Sequence, residues 1–417
     1  MINYKKMAVM NTAGNVFYLF SIWILTVITT RMIDYTAAGY FTLAMSVGNM
    51  FFTLQMFGMR SFQVSDIKGE YSPDQYVYSR YVTTVIGFLL CLGYCIIFIH
   101  EKEKFTVIIA FMMLRSSEAV SDVYHGELQK IGRLDIAVKS MFAKGIFMLV
   151  LFPIILRLTK NLSVALMGAA ISAALVTLFY DRARYSALIC HSQVRFRWKE
   201  ISAPICSCVG LFFTNIFPII VTALPRIMLE RYSGTEILGY YGNVSAPTVL
   251  ITTVVPSVLI PIMTWYGEML QLNQFRRVYS GFVKSLLACF VFGILACTTV
   301  RIAGEWVMAL IFTDAIIPYV HYMYLLIIST VIYAWSMCVN SVLIVMRKTK
   351  AVFVCSGISF VCAIVTAAPL VKTFAVYGAI MVLVITYLVQ FLLLIGVFTV
   401  SIRKQKRTEN ENDNCQM

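Results

Sequence analysis

Long apolar runs broken by short polar stretches recur along the whole chain, and a helix needs about 20 mostly apolar residues to cross the hydrocarbon of a bilayer. Residues 9–31, 36–59, 80–99, 105–126, 136–157, 162–180, 204–226, 238–264, 279–300, 318–345, 351–369 and 376–400 meet that requirement. The pattern predicts an all-α integral membrane protein of about 12 transmembrane helices. Within the second run, Thr42, Ser46, Asn49 and Thr53 fall at i, i+4, i+7 and i+11, so at 100° per residue they share one stripe of an otherwise apolar helix. Polar side chains at that depth turn to protein or water, either as helix-to-helix contacts or as the lining of a cavity.

The stripe has an echo some two hundred residues on. Gly239, Tyr240 and Tyr241 open the eighth run as Gly39, Tyr40 and Phe41 open the second, and Tyr241, Ser245, Thr248 and Thr252 repeat the spacing. Upstream of each stripe an Arg is followed by an acid, Arg31 by Asp34 and Arg226 by Glu230. The chain therefore reads as two related halves. Residues 1–180 form an N-terminal six-helix lobe, 181–203 a basic cytoplasmic linker, 204–400 a C-terminal six-helix lobe and 401–417 a disordered polar tail. Six is an even number, so both halves enter the membrane in the same sense, as in transporters built from parallel repeats.

Composition agrees with this reading. Of 417 residues 60% are hydrophobic and only 13% charged, outside the range of soluble domains. Mean hydropathy is +0.81. Lys and Arg crowd the connections that fall inside if the N-terminus is inside, by more than two to one, which places both termini in the cytoplasm. The connections are too short for a nucleotide-binding domain and carry no phosphate-binding glycine pattern, so ATP hydrolysis by this chain is not expected. Cys91 and Cys95 lie one turn apart without a His or acid to join them, and neither a metal nor another cofactor is expected. Nothing points to nucleic acid.

Charge inside the membrane is costly and marks function by default. The fourth run carries Arg115, Glu118, Asp122, His125 and Gln129 on one face. Two acids and one Arg do not balance, so Glu118 and Asp122 are candidates for coupling to H+ or Na+, with a self-neutralising ladder as the plainer alternative. Lys144 lies deep in the fifth run, whereas Lys139 is near enough to the inner surface to snorkel. Arg60 and Lys144 toward the inside, Arg115 at mid-depth, and Arg31 and Arg226 toward the outside would draw anions if they face one cavity. Arg suits a diphosphate through paired hydrogen bonds. Prolines 218, 225, 247, 256 and 261 are candidate kinks in the seventh and eighth runs.

The stretches QMFGMRSFQVSDIKGEYSPDQYVYSRYVTT, RSSEAVSDVYHGELQKIGRLDIAVKS and LPRIMLERYSGTEILGYYGNVSAPTVL resemble bacterial polysaccharide biosynthesis flippases, the O-antigen and capsule repeat-unit translocases. These belong to the multidrug/oligosaccharidyl-lipid/polysaccharide exporter superfamily. The resemblance implies two pseudo-symmetric six-helix lobes around a central cavity in the bacterial cytoplasmic membrane, and no catalysed bond change. It implies translocation of undecaprenyl-pyrophosphate-linked oligosaccharide for surface polysaccharide or lipopolysaccharide. By position, Arg60, Arg115 and Arg226 would contact the anion, with Arg31 added from the internal repeat. Membrane lipids, H+ or Na+ and other polysaccharide-assembly proteins would be its partners. A multidrug or organic-cation antiporter shares the architecture but is expected to keep unpaired acids in its cavity. A membrane polymerase or glycosyltransferase is expected to carry a large outer loop, which this chain lacks.

Overall fold

The computed structural model describes the backbone of residues 4–66, 69–189, 197–272 and 274–415, and the side chains there except 4–9, 249–258, 260, 261, 264, 271, 275, 276 and 402–415. Among the described residues there is no β-strand. The helices are α1 (Tyr4–Met32), α2 (Tyr35–Met56), α3 (Met59–Ser65), α4 (Pro73–Phe98), α5 (Lys102–Lys130), α6 (Leu134–Thr159), α7 (Leu162–Val176), α8 (Arg182–Leu188), α9 (Trp198–Ser233), α10 (Thr235–Gln271), α11 (Phe275–Ile311), α12 (Tyr322–Val345) and α13 (Thr349–Cys415). A π-turn, Thr177–Asp181, joins α7 to α8, and a 3-10 helix, Asp314–Tyr319, precedes α12.

Nine helices among the described residues are long and apolar enough to cross a membrane. One of these is α13, which is two helices meeting at Ala375, whose left-handed φ of 48° breaks the run. Two further long helices complete the twelve expected crossings: α5, with ionisable residues along its length, and α10. The backbone stays helical to Cys415, where composition led us to expect a disordered tail. Of the expected basic linker, residues 190–196 lie outside the described residues, while 182–188 form α8.

Local chemistry sets the helix ends that matter for the site. Asp34 caps α2 by accepting Ala37 N–H at 2.7 Å. At the other end, Phe57 and Gly58 both take left-handed φ values, 49° and 67°, and turn the chain into α3, which carries Arg60 and Gln63. A Cβ on Gly58 would crowd Leu211, so glycine there serves the turn and the packing together. Ser72 and Gln75 form a capping box at the start of α4, with Pro73 in the first turn.

The chain packs as two units, residues 1–243 and 244–417. In the first, α9 lies along α2, α3 and α4: Ser79 Oγ donates to Ile201 O at 2.6 Å, the Phe57 and Phe212 rings stack at 4.6 Å, and Cys208 joins a core of Met59, Tyr76, Val77, Val123 and Tyr124. The start of α10 crosses α2 closely. A Cβ on Gly39 would strike the carbonyl oxygen of Thr235, and one on Gly239 would strike that of Tyr35, so the repeated Gly-Tyr pair marks a place where two backbones touch. Small residues are what permit this in a membrane, where packing rather than water exclusion joins helices. In the second unit, Tyr266, Phe282, Val339, Leu343 and Phe398 bring α10 to α13 into one apolar core.

Candidate functional site

The ionisable face of α5 organises three polar groups in the first unit. At the first, Arg115 Nη1 donates to Glu118 Oε2 at 2.5 Å, and the hydroxyl of Tyr18 on α1 donates to Glu118 Oε1. The guanidinium of Arg115 lies about 5 Å above the rings of Phe52 and Phe111, at 5.1 and 5.0 Å. The Nε of Arg115 is buried and meets no acceptor among the described residues.

One turn further along, Asp122 takes two arginines. Arg60 Nη1 donates to Asp122 Oδ1 at 2.6 Å and to its carbonyl at 3.0 Å, while Arg60 Nη2 donates to Gln129 Oε1 at 2.9 Å. Arg80 Nη2 donates to Asp122 Oδ2 at 3.2 Å and its Nη1 to Gln55 O at 2.7 Å. Two cations thus share one carboxylate. Arg80 is fully buried, whereas the side chains of Arg60 and Asp122 keep 21% and 19% of their surface exposed, so the group opens on the Arg60 side. Gln63, also on α3, donates to Val123 O at 3.0 Å and Glu127 Oε1 at 2.9 Å.

The third group is closed. Lys144 on α6 donates to Asp181 Oδ2 at 2.9 Å and to Ser121 Oγ at 2.5 Å. Ser121 donates to the same Asp181 Oδ2 at 2.5 Å, and His125 Nε2 is 3.2 Å from Asp181 Oδ1. All four residues are buried. Asp181 reaches them from the π-turn, a one-residue widening of the helix that changes the face presented next.

The structure places the sequence candidates as follows. Arg60, Arg115, Glu118 and Asp122 come together along α5, and Arg80 supplies the cation that the sequence balance lacked; no outside cation is needed to neutralise Asp122. Lys144 is sealed against Asp181, and Lys139 is exposed. Arg31 is exposed at the end of α1. Arg226 is half-buried over the ring of Tyr241, 5.9 Å from its centre. Of the stripes, Thr42, Ser46, Tyr241, Ser245 and Thr248 are buried, while Asn49 and Thr53 are half-buried. Thr42 faces Gly242, and Ser46, Thr53 and Thr248 donate to carbonyls of their own helices. The side chain of Thr252 lies outside the described residues.

Sequence reasoning passed over Arg80, Asp181, Gln55 and Tyr18. A signal was present for Asp181: a buried Lys needs an acid, and Asp181 directly abuts the apolar run 162–180.

No protein-family model matches the chain. The capsular polysaccharide biosynthesis protein CapF of Staphylococcus aureus is 24% identical over 180 residues, which make up 42% of this chain and 44% of that protein. The chain spans less than half the length of that relative. Among solved structures, an inward-facing multidrug resistance transporter of the MATE family superposes with a TM-score of 0.74 at 13% identity, covering 96% of this chain and 99% of that one. The MATE multidrug transporter DinF-BH gives 0.67 at 14% identity over 95% and 94%. A MOP superfamily transporter from Pyrococcus furiosus, described as having a binding pocket of reverse polarity that suggests a different function, gives 0.62 at 10% identity over 96% and 95%. The chain has the fold of the MATE transporters of the MOP superfamily.

Proposed function

We propose that this membrane transporter is a flippase that moves undecaprenyl-pyrophosphate-linked oligosaccharide repeat units across the bacterial cytoplasmic membrane for surface polysaccharide assembly. The observation that carries the reading is the Arg60, Asp122 and Arg80 group, which holds one cation more than it holds anions and is open at Arg60. An anionic head group supplies the missing charge, and guanidinium groups present paired donors that match phosphate oxygens. The unpartnered Nε of Arg80 and of Arg115 leave further donors in the same region. The partial similarity to CapF leans the same way.

A second reading, a multidrug antiporter, draws on the fold shared with MATE proteins. A carrier of organic cations needs a carboxylate that no protein cation has taken. On α5 both Glu118 and Asp122 are already taken, which favours the flippase.

The test is to delete the gene and compare lipid-linked oligosaccharides with the parent strain by mass spectrometry. Accumulation of a complete pyrophosphate-linked repeat with loss of surface polymer is the expected result. An unchanged lipid pool, intact polymer and new drug sensitivity would transfer the assignment to the antiporter.

A further inference from the structure

The closed group around Lys144 stands apart from the Arg60 group and has no part in the cargo reading. Its carboxylate, Asp181, is fully buried and flanked by a hydroxyl and an imidazole from α5, and with Lys144 the group draws on three segments: α5, α6 and the π-turn. Stability alone does not call for such a pair. Burying an ammonium and a carboxylate recovers about what it costs, and well-packed apolar side chains of the same volume do as well or better. The π-turn points the same way, because it departs from regular helix at the place where the carboxylate is delivered.

Oxygen ligands with one negative charge, shut off from bulk water, are what a monovalent alkali cation binds. Asp181 Oδ2 and Ser121 Oγ converge on one point at 2.9 and 2.5 Å, and that point is the Nζ of Lys144. The same provision of an internal cation recurs along the lobe. Glu118 has Arg115, Asp122 has Arg60 and Arg80, and Glu127 has Lys130 at 3.4 Å.

We propose that Lys144 is a built-in counter-cation: its ammonium occupies a monovalent-cation site formed by Asp181 and Ser121, with His125 holding the second oxygen of Asp181. The wild-type chain accordingly takes up no alkali cation there, and the charge of this part of the lobe does not vary with external Na+. Shortening the side chain opens the site to a free cation.

The test uses the purified full-length protein in detergent. Thermal unfolding is followed for the wild type, Lys144→Ala, and Lys144→Ala combined with Asp181→Asn, in NaCl and in choline chloride at equal ionic strength. Ethylammonium chloride serves as a second probe that returns an ammonium group to the vacated space. Ligands that bind only the folded state raise its melting temperature in a saturable way. Lys144→Ala is expected to melt well below wild type in choline and to regain about 5 °C in Na+ or ethylammonium. Wild type and the double variant are expected to be indifferent to the cation. If Lys144→Ala does not survive choline, it is purified in ethylammonium and diluted into choline, and loss of folded material on dilution reads the same way. A Lys144→Ala protein that responds to neither cation overturns the proposal, as does an equal response in wild type or in the double variant. Because the readout is stability, the flippase assignment can fail while this result stands, and the reverse.

Discussion

The buried polar side chains of residues 1–243 differ in kind from those of residues 244–417. In the first unit they include Arg80, Arg115, His125, Glu127, Lys144 and Asp181. In the second, among the described residues, they are serines and threonines alone. Hydroxyls in a membrane helix can satisfy themselves on carbonyls of their own helix, as Ser359 does on Cys355 O at 2.9 Å and Thr330 on Leu326 O at 2.7 Å. Charged groups need counter-charges, some from the same helix, as Arg115 finds in Glu118, and some from other segments, as Arg60, Arg80 and Lys144 do. Among the described residues, the first unit holds the ion-pair network, and the second packs on apolar contacts and on hydrogen bonds within and between its helices.

The comparison breaks most readily at Asp122. Replacing Asp122 with Asn leaves the fully buried Arg80 without its anion, and stranding a buried charge costs about 3–5 kcal/mol. In the second unit, Ser336 bridges to Tyr387 O at 3.2 Å, and Ser336→Ala is expected to cost less than about 1 kcal/mol, the usual scale for such bonds between membrane helices. Denaturation of the two purified variants in the same detergent measures the gap. Equal losses would show that the charge network does not set the stability of its unit.

A smaller effect is expected where backbones cross. Gly39→Ala places a methyl against the carbonyl oxygen of Thr235, a backbone atom that cannot rotate away, and overpacking of this sort costs about 1–3 kcal/mol. Gly396 in α13 has nothing within 4 Å of the position its Cβ would take, so Gly396→Ala is expected to be neutral or to stabilise by up to about 1 kcal/mol. Melting temperatures that move in opposite directions would sharpen the contrast. A harmless Gly39→Ala would show that α2 and α10 can separate at little cost.

The helices were legible because a membrane crossing needs little more than length and apolarity, and both are local. The face of α5 was legible too: periodicity put Arg115, Glu118, Asp122 and His125 together before any partner was known. What periodicity cannot give is the neighbour. Ser46 and Thr53 lie on the stripe, yet their hydroxyls bond Thr42 O and Asn49 O within α2. Arg80 and Asp181 sit at the ends of apolar runs, where depth depends on where the next segment packs, and the sequence pattern does not single them out. The Gly39 and Gly239 echo was visible as a repeat, but only the fold shows that the two copies touch.

The smallest expected effect asks whether the network of the first unit reaches beyond the membrane. Asp66, just past α3, accepts the backbone N–H groups of Glu70 at 2.8 Å and Tyr71 at 3.1 Å and the hydroxyl of Tyr76 at 3.0 Å. Partial burial pushes its carboxyl up, but these bonds together with Lys130 outweigh it and hold the group below its usual range. A carboxylate held lower in the folded state than in the unfolded one stabilises fully above its unfolded value, about 3.9, and loses that contribution as pH falls through the folded value. Melting temperatures of wild type and Asp66→Asn should therefore differ by a constant, small amount above about pH 5 and converge in more acid solution. Because α3 carries Arg60 as well as leading into Asp66, a loosened turn should also free Arg60 from Asp122. If the gap between the two proteins holds unchanged through the acid range, Asp66 does not organise the turn as a carboxylate, and the charge network of the first unit ends at the membrane face of α3.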